Sequence, residues 1–207
     1  MRAVLRLISV VVFLGICLAI WVGARGWLAK DHLQDSTDLV TRLQTQLEQG
    51  DAVPAHETLV RLQDETHDAV RLTSDPVWRF AQHLPGGDNL SAVHAVSVAG
   101  HTVSIESLPP LVAAAAGVSQ LTQQGADATP TQLLATARRL QEPLATAQAG
   151  VHQAQAQIAA VDPSSLIGPV SNGVEQFSSG LATLNTELTS LRKADAAVIA
   201  LGAALGG

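Results

Sequence analysis

Apolar residues recur every three or four positions along most of the chain, a pattern that predicts amphipathic helices. The first such stripe contains Leu33, Ser36, Val40, Leu43 and Leu47. A second stripe follows the short break at 50–54 and contains Ala55, Leu59, Leu62, Thr66, Ala69 and Thr73. Because the break is short, we expect these two helices to pack antiparallel.

Shorter helices are predicted in the middle of the chain. Asp75 and Pro76 are typical of a helix N-terminus, and the turn residues at 84–89 end that helix, with Asp88 or Asn89 placed to cap the next one. The stretch 90–108 is rich in β-branched residues, but its helical spacing favours a helix over a strand. Pro109 and Pro110 predict its end, followed by an alanine-rich helix from about Leu111 to Leu121 and a loop at 125–127.

The last third of the chain carries the most regular pattern. Thr129, Pro130 and Gln132 form a capping box with proline at the first helical position. Steps of four and three then connect Leu133, Ala137, Leu140, Leu144, Ala147, Val151, Ala154, Ile158 and Val161. The register continues through Pro143, which predicts one helix bent near Arg139.

After a turn at 162–165, the same rhythm returns from Pro169 onward. The positions are Val170, Val174, Phe177, Leu181, Leu184, Leu188, Leu191, Asp195 and Val198, with Asp195 as the polar interruption. Two long heptad helices joined by a short turn predict an antiparallel, coiled-coil-like hairpin.

The composition supports an all-α fold. Hydrophobic residues make up 47% of the chain but aromatic residues only 3%, so the core must consist mainly of Ala, Leu and Val. Small side chains suit closely spaced helices better than a sandwich or barrel. The single Cys excludes an intramolecular disulfide framework, and a net charge of −6 gives no electrostatic basis for binding nucleic acid.

The N-terminus contains a predicted membrane span. The run from Leu7 to Gly23 is free of charge and is flanked by Arg2, Arg6 and Arg25. Residues 3–24 would extend roughly 33 Å as a helix, enough to cross the lipid bilayer. The basic N-terminus favours a cytoplasmic start and an extracytoplasmic bulk at the cell membrane.

Processing of this segment has competing interpretations. Small residues at Val22-Gly23-Ala24 would permit cleavage of a secretory signal peptide after Ala24, although the apolar run is long for a cleaved signal. Cys17 imitates a lipoprotein site, but the preceding Ile16 and the apolar residues after it favour a small apolar residue in the bilayer. We predict a retained single-pass anchor.

We predict no catalytic, cofactor-binding or metal-binding residues. The histidines lie at positions 32, 56, 67, 83, 94, 101 and 152. His94 and His101 share a helical face two turns apart, which is too far for one ion, so solvent or packing roles are expected. Asp64, Glu65 and Asp68 are interpreted as a solvated helix face, and no nucleophile or phosphate motif occurs.

Motifs in the middle of the chain resemble a bacterial family. The stretches Ser74–Phe80, Leu84–Asn89 and Leu108–Leu111, together with 161–163 and 168–170, are similar to actinobacterial envelope proteins that carry the domain of unknown function 4012. The resemblance implies an N-terminal membrane helix, a helical ectodomain and then the named domain, and it transfers no catalytic residues. Because this chain stops where that domain would begin and is apolar to its last residue, we expect a truncated C-terminus.

These patterns predict three regions: a transmembrane signal-anchor at 1–25, a short-helix extracytoplasmic bundle at 26–128 and the long hairpin at 129–207. The expected function is a membrane-anchored stalk or scaffold of the cell envelope, without catalysis. Expected partners are the bilayer, through residues 3–24, and envelope proteins or a second copy, through the heptad seams. Alternatives are a sensor-like bundle that binds a small ligand or envelope component, and an accessory part of an envelope polysaccharide enzyme.

Overall fold

The computed structural model describes residues 38–47, 49, 51–123 and 129–205, and its regular elements there are all helical. They are α1 (38–47), α2 (Ala52–Thr73), α3 (Pro76–Ala81), α4 (Asp88–Thr102), a π-helical turn (Val103–Ser107), α5 (Leu108–Gln123), α6 (Pro130–Ala159), a 3₁₀ turn (Pro163–Ser165) and α7 (Gly168–Leu205). The all-α prediction is confirmed. The anchor predicted at 1–25, its cleavage site at Ala24 and the loop at 125–127 lie outside the described residues.

None of the helices in the described ranges combines the length and the apolar character that crossing a membrane requires.

The second predicted stripe is the buried face of α2. All six of its residues are buried, and Thr58 joins them. The first stripe is only partly correct, because Leu43 is buried whereas Val40 is 47% exposed. Leu43 and Leu47 pack with Ala55 and Leu59 of α2, which closes a small core against α5.

Helix α3 begins as the sequence predicts. The Asp75 carboxylate accepts hydrogen bonds from the backbone amides of Val77 and Trp78 at 2.8 and 2.9 Å. Trp78 is fully buried, and its indole nitrogen donates to the carbonyl oxygen of Leu90 at 3.2 Å, which fastens α3 to α4. The tight turn between them needs Gly86, the residue with a positive φ of 84°.

The expected side-chain cap on α4 is wrong. Gly87 occupies the N-cap position without a side-chain hydrogen bond, and Asp88 is already helical. Asn89 instead ties the turn to the hairpin: its amide nitrogen donates to the Gly86 carbonyl at 3.2 Å, and its Oδ1 accepts from the Ile167 amide at 2.9 Å.

The predicted helix over 90–108 is confirmed, but its end at Pro109 and Pro110 is wrong. Helix α4 continues through the π-helical turn directly into α5, which already begins at Leu108. Within the turn, the Leu108 amide donates to the Val103 carbonyl five residues earlier. A π turn shifts the carbonyls that a proline ring would otherwise strike, so both prolines fit the first turn of α5.

Helix α4 lies between two layers. It packs on one side against α2 and on the other against α6. Ala92 and Ala99 are fully buried in the core shared with α6 and α7. Ser97 and Ser104 are also buried, but they do not belong to that core. Burial on both sides explains why the apolar residues of 90–108 form no single clear stripe.

Helices α6 and α7 form the predicted antiparallel hairpin. The capping box is confirmed, since the Gln132 amide donates to Thr129 Oγ1 at 3.3 Å and the Thr129 amide donates to Gln132 Oε1 at 2.8 Å. Helix α6 is continuous through Pro143, while the bend expected near Arg139 stays a prediction. Gln148 contacts Asn185 and Thr189, and Gly202 near the end of α7 packs against Leu134 near the start of α6.

The α7 stripe is confirmed only over its first part. Val174, Leu181 and Leu188 are buried against α6, together with Leu144, Ala147, Val151, Ala154 and Ile158. Beyond Leu188 the prediction is wrong at two positions, because Leu191 is 54% and Val198 is 43% exposed. Asp195 of the predicted stripe is partly buried, and so is Gly202, so the seam keeps the seven-residue spacing of Leu181 and Leu188.

Candidate functional site

The most distinctive chemistry of the molecule lies between α2 and α4. Seven buried residues with hydroxyl side chains line these helices and the π turn, namely Thr58, Thr66, Thr73, Ser97, Thr102, Ser104 and Ser107. Two histidines of α4 reach into this interface, where His101 Nδ1 lies 3.2 Å from Thr66 Oγ1 and His94 Nδ1 lies 3.2 Å from Thr73 Oγ1. We call these two contacts the threonine–histidine rungs.

The rung at Thr66 belongs to a closed hydrogen-bond circuit. Thr66 Oγ1 lies 2.8 Å from Ser104 Oγ, and Ser104 Oγ donates to the His101 carbonyl at 2.8 Å. The Thr66 hydroxyl donates to the Leu62 carbonyl of its own helix at 2.9 Å, so Thr66 Oγ1 accepts from His101 Nδ1–H. This arrangement assigns the proton of neutral His101 to Nδ1 and leaves Nε2 as a free lone pair. Gln63 Nε2 adds a donor to the Ser104 carbonyl at 3.0 Å.

A third histidine completes the cluster. The rings of His67 on α2 and His101 on α4 have centroids 5.5 Å apart and are tilted by 54°. Desolvation by burial lowers the pKa of His101, and the nearby His67 lowers it further. Burial also lowers the pKa of His94. Both rings of α4 are therefore held toward the neutral form.

The sequence analysis named these histidines and threonines separately but did not predict that they contact one another. Thr66 and Thr73 are seven residues apart on α2, as are His94 and His101 on α4, so antiparallel packing brings both pairs into contact. His67 and His101 are 34 positions apart, and only the packing of α2 on α4 places them together. His56, His83 and His152 are exposed on other parts of the surface.

The acidic patch occupies the outside of α2, as predicted. Asp68 Oδ1 accepts from Arg71 at 3.3 Å, with both side chains largely exposed. Asp64 and Glu65 line an open groove of about 360 Å³ between α1 and α2, together with Arg42 and Arg61. Among the residues that the structure describes, no group of three or more His, Cys, Asp or Glu side chains is placed to hold a metal ion.

A second open groove runs along the far part of the hairpin. It has a volume of about 700 Å³ and is lined by both helices, with Glu142 from α6 and Asp195, Arg192 and Lys193 from α7. Desolvation raises the pKa of Asp195, the polar interruption of the stripe. Arg192 also donates to Gln148 Oε1 across the hairpin, so both cations and carboxylates line this groove.

Beside this groove, α7 exposes an apolar strip. Leu191, Val198 and Leu201 are 54%, 43% and 63% exposed, and their spacing of seven and three residues places them on one side of the helix. Apolar residues on one face of a helix, with little packing against them, are typical of a contact surface. We call this the α7 strip.

Comparison with protein families, with curated proteins and with solved structures finds no match for this chain. The resemblance to envelope proteins of the 4012 family therefore stays a prediction from the sequence.

Proposed function

We propose that the protein is a single-pass, membrane-anchored helical scaffold of the bacterial cell envelope, with its bulk outside the cytoplasm. The observation that carries this proposal is the seam between α6 and α7. Ala147, Val151 and Ala154 on α6 are fully buried, and Leu188 on α7 is 1% exposed. A close-packed seam of small and branched residues holds these two helices rigidly together.

The dimensions of the hairpin fit a spacer. Helix α6 has 30 residues, which at about 1.5 Å per residue corresponds to roughly 45 Å. The helices α2 to α5 brace one side of this rod, because α4, the π turn and α5 all pack against α6. A rigid element of this length would hold a partner at a fixed distance from the bilayer.

The enzymatic alternative needs a groove that holds carboxylates, and the larger of the two grooves described above lies along the hairpin. Glu142 and Asp195 line the hairpin groove, but Arg192 and Lys193 share it and it is open to solvent. Glycoside hydrolysis requires two carboxylates that face each other across the bound sugar. The hairpin groove therefore supports the polysaccharide enzyme less well than the buried seam supports the scaffold.

Fractionation of a C-terminally tagged chain tests the anchor and its orientation. Cells stripped of their wall are treated with protease, and the product is sized on a blot against the uncleaved chain. We expect full-length, membrane-bound, protease-sensitive protein. A shortened soluble product would mean secretion after Ala24, and protected full-length protein would mean the opposite topology.

Two variants sharpen that experiment. Ala24→Leu removes the small residue that signal peptidase needs before its cut, so it should leave the wild-type product unchanged if the anchor is retained. The double variant Arg2→Glu, Arg6→Glu removes the positive charge that keeps the N-terminus inside, so it should increase the protease-protected fraction. An unchanged distribution in the charge variant would contradict the proposed orientation.

The proposal places partner binding on the α7 strip. The seams of 144–158 and 174–188 are already filled within the hairpin, so a protein partner or a second copy has the exposed Leu191, Val198 and Leu201 available. Site-specific photo-crosslinkers at Leu191 and Val198 should capture the partner in cells, whereas one at the exposed Val60 of α2 should not. Equal capture at Val60 would refute this placement.

A further inference from the structure

We propose that His67 and His101 together bind a single divalent transition-metal ion, of the zinc or copper class, that bridges α2 and α4. The inference is independent of the proposed scaffold function. It rests on the distance between the two rings, on the fixed orientation of one of them and on the position of the pair at the surface of the bundle.

The ring separation matches two imidazoles on one ion. The centroids are 5.5 Å apart. With metal–nitrogen bonds of about 2.0–2.1 Å and a tetrahedral angle between them, two bound imidazoles have centroids about 5 Å apart. The observed separation is therefore compatible with one nitrogen from each ring binding the same ion.

His101 is already oriented for this role. Its Nδ1 is engaged by Thr66 Oγ1 at 3.2 Å, and Thr66 is itself held by Ser104 at 2.8 Å. A hydrogen bond from the second ring nitrogen is the usual way in which proteins orient a metal-binding histidine. The circuit therefore leaves Nε2 of His101 as the ligand and supplies the support behind it.

Solvent completes the coordination. His67 is exposed and His101 is partly exposed, so water can reach the ion and fill the positions that protein does not. Two imidazoles suit zinc, copper and nickel better than the hard cations calcium and magnesium, which prefer oxygen ligands. An ion held by one residue of each helix would fix α2 against α4.

The test uses the full-length chain in detergent micelles, without a polyhistidine tag, titrated with Zn²⁺ by calorimetry. We expect one ion per chain for the wild type and a rise in melting temperature on zinc addition. His67→Ala should abolish both effects, and circular dichroism should show unchanged helix content because this side chain is exposed. The exposed His56→Ala and His152→Ala serve as matched controls and should bind like the wild type.

Two further measurements separate a built site from nonspecific binding. Thr66→Val removes the group that orients His101, so it should weaken zinc affinity by about tenfold while both ligands remain. Electron paramagnetic resonance of bound Cu²⁺ should show two nitrogen ligands in the wild type and one in His101→Ala. Wild-type stoichiometry in His67→Ala, or equal loss in His152→Ala, would overturn the proposal.

Discussion

The α2–α4 interface and the α6–α7 interface solve the same packing problem with different chemistry. Thr66, Thr73 and His101 join α2 to α4 through directional hydrogen bonds. Ala147, Val151 and Leu188 join α6 to α7 through burial and a heptad register. Directional bonds select one partner for each polar group, whereas an apolar seam depends on the burial and fit of its side chains. We therefore expect the hairpin seam to contribute more to stability, and the α2–α4 hydrogen bonds to fix how those two helices align.

The largest effect is expected from Leu188→Ala in the hairpin seam. Leu188 is 1% exposed, so truncation leaves a cavity that should lower the free energy of unfolding by about 2–5 kcal/mol. Chemical denaturation of the two chains measures the difference. Leu191→Ala, one turn further along α7 and 54% exposed, is the control and should change stability by less than about 0.5 kcal/mol. Equal losses would mean that both leucines are buried in solution.

A second prediction concerns the point where the hairpin meets the π turn. A Cβ added to Gly150 would lie 2.5 Å from Ser107 Oγ and 3.0 Å from the Glu106 Cβ. Gly150→Ala should therefore destabilise the fold by about 1–3 kcal/mol, although alanine is normally the better residue inside a helix. Thermal denaturation should show the loss directly.

The matched variant for this contact is Ser107→Ala. Ser107 Oγ is buried without a hydrogen-bond partner among the described residues, so removing it alone should be neutral or mildly stabilising. In the double variant, Ser107→Ala should recover part of the Gly150→Ala loss. Strictly additive effects in this cycle would contradict the contact between α6 and the π turn.

The polar interface is probed by Thr66→Val, which keeps the shape of the side chain and removes its hydroxyl. Ser104 loses a buried partner and His101 loses a partly buried one, so we expect a loss of about 1–2 kcal/mol in unfolding free energy. Thr186→Val on α7 is the control, because its hydroxyl is exposed and donates only to the Ala182 carbonyl of its own helix. If both variants lost similar stability, the contacts of Thr66 with Ser104 and His101 would contribute nothing beyond the bond of a threonine to its own helix.

The sequence predicted the two interfaces unequally. The α6 stripe and the first part of the α7 stripe appear at the predicted positions, because each helix has one covered face and its apolar period shows directly. Helix α4 is covered on two faces, so its apolar residues do not form a single stripe and its sequence pattern distinguishes helix from strand only weakly. Pro109 and Pro110 misled the prediction because a π turn absorbs their cost, and no local sequence rule marks such a turn.

The candidate site was the least predictable part. His94 and His101 were recognised as sharing a face of α4, and Thr66 and Thr73 as sharing a face of α2. Their contacts depend on the antiparallel offset of the two helices, which periodicity does not specify. The proximity of His67 to His101 depends on the same offset. The signal that could have predicted these contacts is the equal spacing of seven residues between the two threonines of α2 and between the two histidines of α4.

The smallest expected effect distinguishes the two interfaces by pH. Burial lowers the pKa of His94 in the folded state below its ordinary value of 6.5, so the unfolded chain takes up this proton first as the pH falls. The stability that neutral His94 contributes is full above pH 6.5 and is lost as the pH decreases through the lower folded pKa. His94→Asn keeps a donor near Thr73 but cannot titrate, so its stability should fall less between pH 7 and pH 5 than that of the wild type. Denaturation at several pH values measures this slope. The exposed His56→Asn is the control and should keep the wild-type slope. An unchanged slope in His94→Asn would mean that the contact between His94 and Thr73 does not contribute to the pH dependence of stability.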